Sequence, residues 1–148
     1  MKKMITLLLS LLLINRISAQ YEIKLEAPES VPQFGIAEFV FNVQGCPVKN
    51  PFTDIEIEGT FISGNRRQVI KGFADSKDGS VFRLRFSPES SDAIYDFEIS
   101  FTGAGISKKF TGLIKSTSTR NQGPVVVDPS NPKHFIYKGT GKPFYHLG

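Results

Sequence analysis

The sequence predicts an all-β protein: an antiparallel β-sandwich followed by a linker and a hairpin. Three observations lead there. Apolar residues recur at every second position in run after run, which is the period of a half-buried strand. The runs are separated by glycine, proline and asparagine clusters about every 8–12 residues, the rhythm of a sandwich. Beyond the first residues, no stretch sustains the 3.6-residue period of a helix.

In order along the chain, residues 1–19 are expected to be a signal peptide. Lys2 and Lys3 precede the apolar run Ile5–Ile14, and Asn15–Ala19 closes on a small residue. That is the three-part layout of a secretory leader, with cleavage after Ala19 and Gln20 as the new N-terminus. The apolar run is about half of the roughly 20 residues that a spanning helix needs. The mature protein is therefore expected to be exported, periplasmic or extracellular, with no membrane segment left after cleavage. Residues 20–36 read as an N-terminal extension or edge strand, with a weak strand at Tyr21–Leu25. Residues 37–118 read as the sandwich.

Within the sandwich each strand announces its buried face. Ala37, Phe39, Phe41 and Val43 alternate with Glu38 and Asn42. Ile55, Ile57, Gly59 and Phe61 alternate with Asp54, Glu56, Glu58 and Thr60. A weaker strand covers Gln68–Phe73. Phe82, Leu84 and Phe86 alternate with Arg83 and Arg85, and Tyr95, Phe97, Ile99 and Phe101 with Asp96, Glu98 and Ser100. Phe110, Gly112 and Ile114 form the last and least regular run. The expected core is Phe41, Ile57, Phe82, Leu84, Phe86, Phe97 and Ile99. Breaks fall at Gly45–Pro51, Ser63–Asn65, Asp75–Gly79, Ser87–Asp92 and Gly103–Gly105, where glycine supplies positive φ and proline withholds a ladder donor.

Residues 119–148 change character. Ser116–Gln122 is small and polar, and Gly123-Pro124 opens the short apolar run Val125–Val127. Asp128-Pro129 and Asn131-Pro132 argue against a helix. His134–Tyr137 and Pro143–Leu147, around Gly139–Lys142, read as a hairpin. The sequence stops at Gly148, directly after an apolar strand, so the chain is expected to be cut. Without a partner surface the tail is expected to be poorly anchored.

Composition narrows the function. Removing Lys2, Lys3 and Arg16 lowers Lys plus Arg from 18 to 15 against 14 acids, so the mature chain is near +1. No nucleic-acid partner is indicated by so balanced a charge. The single Cys46 closes no intrachain disulfide, so the core must supply the stability.

Candidate chemistry is sparse. Glycoside hydrolysis needs two carboxyl groups about 5 Å apart or somewhat more. Glu56 with Glu58 and Asp96 with Glu98 share strand faces, but alternation alone places acids on a solvated face. Asp75–Gly79 has a faint likeness to a calcium loop without its full set of oxygen ligands, and reads as a turn. His134, His146 and Cys46 lack metal-ligand spacing. The sequence supplies no catalytic residue, no metal site and no cofactor.

Several segments carry a resemblance. Asn50–Asp54 (NPFTD) with the strand after it, Gly72-Phe73, and Arg83, Arg85, Phe86 and Pro88 in an R-x-R-F-x-P pattern resemble an immunoglobulin-like domain of unknown function. That domain precedes (β/α)8-barrel glycoside hydrolases of the apiosidase-like type. Asn121–Pro129, Asn131-Pro132, His134-Phe135 and Gly141–Gly148 resemble the segment leading into the barrel. The match covers residues 37–148. It departs at Asp92 and Ala93, where the family has a different turn, and at Tyr95, near a family tryptophan.

The resemblance implies an immunoglobulin-like sandwich that packs in cis on a catalytic barrel and is not itself an enzyme. It further implies a secreted hydrolase of plant-type polysaccharide, with Pro143–Leu147 as the first barrel strand. Tyr145 or His146 would then line the sugar site of a complete enzyme. Two other readings compete: a carbohydrate-binding module with a polysaccharide partner, for which Tyr21, Tyr95 and Tyr137 are the main stacking platforms, and a stand-alone surface interaction domain.

Overall fold

The computed structural model describes residues 21–145, so the expected signal peptide and His146 lie outside the described residues. The chain forms β1 (Glu22–Glu26), β2 (Ser30–Pro32), β3 (Ala37–Gln44), the short helix α1 (Pro51–Asp54), β4 (Glu56–Ser63), β5 (Arg66–Lys71), β6 (Phe73–Ala74), β7 (Val81–Phe86), β8 (Ile94–Gly103), β9 (Ile106–Thr117), β10 (Val125–Asp128), β11 (Asn131–Tyr137) and β12 (Pro143–Phe144).

Two sheets make the sandwich. One has the order β1-β3-β7-β6, the other β2-β9-β8-β4-β5. All pairings are antiparallel except β2 with β9, which is parallel. The N-terminal segment thus supplies an edge strand to each sheet. The expected all-β sandwich is the fold observed.

The core lies where alternation places it. Phe39, Phe41, Phe82, Leu84 and Phe86 from the first sheet meet Ile57, Phe61, Phe97, Ile99 and Phe101 from the second, all buried. Their rings interlock. Phe61 stacks on Phe86 with centroids 4.0 Å apart, and Phe39 meets Phe97 edge to face at 5.1 Å. Such pairs add about 0.5–1.5 kcal/mol each beyond burial alone. The irregular β9 has a reason for its glycine. Gly112 pairs with Phe97, and a Cβ at Gly112 would lie 2.6 Å from the Phe97 ring.

The weak strand over Gln68–Phe73 is in fact two. It breaks at Gly72, and β5 stays with the second sheet while β6 crosses to the first. A Cβ at Gly72 would meet the Arg83 carbonyl oxygen at 2.7 Å and the Ile57 Cβ at 2.9 Å, so the crossing point has no room for a side chain. Periodicity cannot register a change of sheet, because both halves remain extended.

Motif residues gain physical roles. Asn50 caps α1 by accepting from the Phe52 N–H at 3.2 Å, Pro51 opens the helix, and Asp54 reaches back to accept the Asn50 N–H at 3.0 Å. Asp54 is held below the usual carboxylate range chiefly by that bond to Asn50. Arg83 and Arg85 point outward and both pair with Glu38; Arg83 also donates to Asp75 at 2.7 Å. Phe86 and Pro88 turn inward.

The tail is a sheet of its own, β10-β11-β12, and not a lone hairpin. It joins neither sandwich sheet, yet it is tied to the sandwich. Phe34 presses the edge of its ring against Gly123 and Gly139, and Lys138 Nζ donates to Glu89 at 2.6 Å.

Candidate functional site

Three regions of the surface are candidates for a site, by exposed apolar groups or by a concave outline. The first is on the tail sheet. Register places Val127, Phe135 and Phe144 in one cross-strand row, and Val125 beside Tyr137 on the same face. Tyr137 packs edge to face on Phe144 at 5.5 Å. Among the described residues nothing covers this face: Val127 and Phe135 are each 50% exposed.

At one end of the same sheet a cleft of about 270 Å³ is bordered by Asp128, Lys133, His134, Phe144 and Tyr145. Tyr145, the expected sugar-site residue that can be placed, is 78% exposed at its rim. Asp128 accepts from the Ser130 hydroxyl at 2.7 Å and its N–H at 2.8 Å, and these bonds lower its pKa. His134 Nδ1 lies 3.3 Å from Asn131 Nδ2. Sequence alone offered Tyr145 without these neighbours; pairing of β10, β11 and β12 brings them together.

The second region is the outer face of the five-stranded sheet. Leu113, Asp96 and Ile62 form one row, with Thr111, Glu98 and Thr60 in the next. Two of the carboxylates here, Glu56 and Glu98, are engaged as surface ions. Lys71 donates to Glu56 at 2.6 Å and Lys109 to Glu98 at 2.7 Å. Lys71 holds Glu56 below the usual range. A general acid needs the opposite shift, raised by burial.

The third region is an open groove beside β5, lined by Gln68, Val69, Ile36, Phe34, Arg85 and Gly123 among others. No sequence signal pointed to it, since its walls come from segments far apart in the chain.

The remaining candidates sort clearly. Asp75–Gly79 is a turn whose oxygens serve the chain itself. Asp78 accepts from the Ser80 hydroxyl at 2.7 Å and its N–H at 3.0 Å, which holds its carboxyl at about 2. Asp75 takes Arg83. Among the described residues no cluster of three His, Cys, Asp or Glu side chains could hold a metal.

Tyr95 is not a platform for sugar. It is 2% exposed, packs on Phe86, and its hydroxyl accepts from the Ser90 N–H at 3.2 Å. A tyrosine at a strand start that bonds back to the preceding corner recurs in immunoglobulin-like sandwiches. Tyr21 and Tyr137 are half-buried. Sequence reasoning missed Phe34 as a contact residue, because nothing in its neighbourhood alternates.

No helix among the described residues is long and apolar enough to cross a membrane. No curated protein matches the chain. Residues 30–102, from β2 through most of β8, match the family model described as Domain of unknown function (DUF5060).

Proposed function

We propose that the chain is a non-catalytic accessory domain of an exported glycoside hydrolase that acts on plant-type polysaccharide, and that its tail sheet is the surface that seats on the catalytic barrel. The uncovered apolar face of that sheet carries the reading. Leaving each large apolar group in water forgoes about 1.5–3 kcal/mol, a strong drive toward a partner. The resemblance of residues 121–148 to the segment that enters the barrel supplies the partner's identity. The sandwich would brace the barrel and shape one rim of its cleft.

The test is to mix the full chain with a separately purified barrel of an apiosidase-like hydrolase and follow the barrel's melting temperature. The chain should raise it, and Phe135→Asp should abolish the rise. The chain alone should turn over no aryl glycoside or pectic polysaccharide. Turnover that disappears in Glu56→Gln or Glu58→Gln would defeat the proposal.

A carbohydrate-binding role has one observation in its favour: the exposed Tyr145 ring beside the polar groups Asp128, Lys133 and His134. Direct binding of a neutral polysaccharide, lost in Tyr145→Ala and without effect on any barrel, would favour that reading.

A further inference from the structure

We propose that the free edge of β5 is a strand-addition site for an extended acidic peptide segment. The inference stands apart from the hydrolase reading and uses a different surface.

The hairpin that builds β5 determines which backbone groups face outward. Gly64, at φ 56°, takes the first central place of a two-residue turn, where a type II′ turn favours glycine. Ser63 and Arg66 flank that turn as partners. In such a hairpin the flanking pair exchanges hydrogen bonds, and successive pairs alternate. Gln68 and Ile70 therefore bond to β4, while the N–H and C=O groups of Arg67, Val69 and Lys71 point away from it. β5 is the outermost strand of its sheet. No backbone bond from outside the sheet reaches these residues among the described ones.

An open groove of about 870 Å³ runs beside this edge. Val69 and Ile36 on its walls are 49% and 69% exposed. A strand added here would gain main-chain hydrogen bonds from β5 and apolar contact from these two side chains, the pattern of peptide recognition by strand addition.

Charge selects the occupant. Arg66 and Arg67 have only hydroxyl partners, Ser90 at 3.2 Å and Thr60 at 3.4 Å, and no carboxylate among the described residues. A second copy of the chain is disfavoured: antiparallel pairing of two β5 strands about Val69 would set Arg67 opposite the other copy's Lys71, and like charges directly opposed destabilise a sheet. Arg66 and Arg67, free of carboxylates among the described residues, attract a segment with Asp or Glu at alternate positions. They disfavour self-association and favour an acidic partner at once.

The probe is a short synthetic peptide alternating Glu with Val and Thr, labelled for fluorescence anisotropy and titrated with the full chain. Saturable binding that weakens with added salt is expected, with hydrogen-exchange protection appearing at the Val69 amide. Val69→Pro deletes that outward donor without touching the bonds to β4, and should weaken binding by about tenfold while the melting temperature holds. Arg66→Glu combined with Arg67→Glu, on an exposed surface, should weaken it at least as much, and decides the matter if the proline variant is unstable. Equal binding of the same peptide with Lys for Glu, protection absent at Val69, or no saturable binding would overturn the proposal. So would binding of a soluble polyuronate in place of the peptide, since that would make the edge a site for acidic glycan.

Discussion

Phe34 lies so close to Gly139 that a Cβ on the glycine would come within 2.6 Å of its ring, and one on Gly123 would come within 2.8 Å of the same ring atom. Phe34 reaches this place from a left-handed backbone, φ 59°, which costs a bulky residue about 1–2 kcal/mol. Its N–H donates to the Pro88 carbonyl at 2.8 Å, which locks the turn onto the end of the R-x-R-F-x-P strand. One aromatic ring thus couples the sandwich to the tail sheet, and two glycines make the socket.

Filling the socket should free the tail and leave the sandwich alone. Gly139→Ala forces the Phe34 ring or the Gln122 carbonyl aside, an overpacking penalty of about 1–3 kcal/mol confined to the joint. Limited proteolysis between Thr117 and Lys142 should speed up. Sandwich melting should not move. Unchanged cleavage would mean that the Lys138–Glu89 ion pair alone holds the tail.

Core and surface positions on neighbouring strands should differ sharply. Phe97 meets Phe39 and Phe61 and covers Gly112. Phe97→Ala should cost about 3–5 kcal/mol in urea unfolding. Leu113, next to Gly112 on β9, is 59% exposed. Leu113→Ala should stay within about 0.5 kcal/mol of the parent. Similar losses at both sites would contradict the assigned faces.

Acid should weaken the protein through its paired carboxylates. The Arg85 hydrogen bond holds Glu38 below its ordinary value near 4.5, with Arg83 adding to it. Lys71 does the same for Glu56, and Ser80 holds Asp78 at about 2. A carboxyl whose folded pKa is depressed contributes stability that is present above its unfolded value. That stability is lost as pH falls through the folded one. The urea midpoint should therefore be flat from pH 7 to about 5 and decline from about 4.5 toward 2. Glu38→Gln should start lower at pH 7 and decline less steeply.

Period-2 alternation in the sequence was enough to place the main sandwich strands and their buried faces, but not the short β2 or the helix α1. Each of the seven expected core residues is buried, because a half-buried strand allows only two faces and the apolar set can occupy only one. Turn positions were legible for the same local reason. What alternation could not convey was anything that depends on which strands become neighbours. The split of the weak strand at Gly72 follows from the space between Ile57 and Arg83. Alternation set Tyr95 on the inward face, but only its packing on Phe86 removed it from the stacking platforms. The cleft at Tyr145 needed β10, β11 and β12 to pair before Asp128, Lys133 and His134 could share its border. Phe34 and Gly139 are more than a hundred positions apart, and the groove beside β5 gathers residues from four separate segments. Local preference acts over a few residues. Sheet order, sockets and grooves are set by burial and sterics between segments that only the folded chain brings into contact.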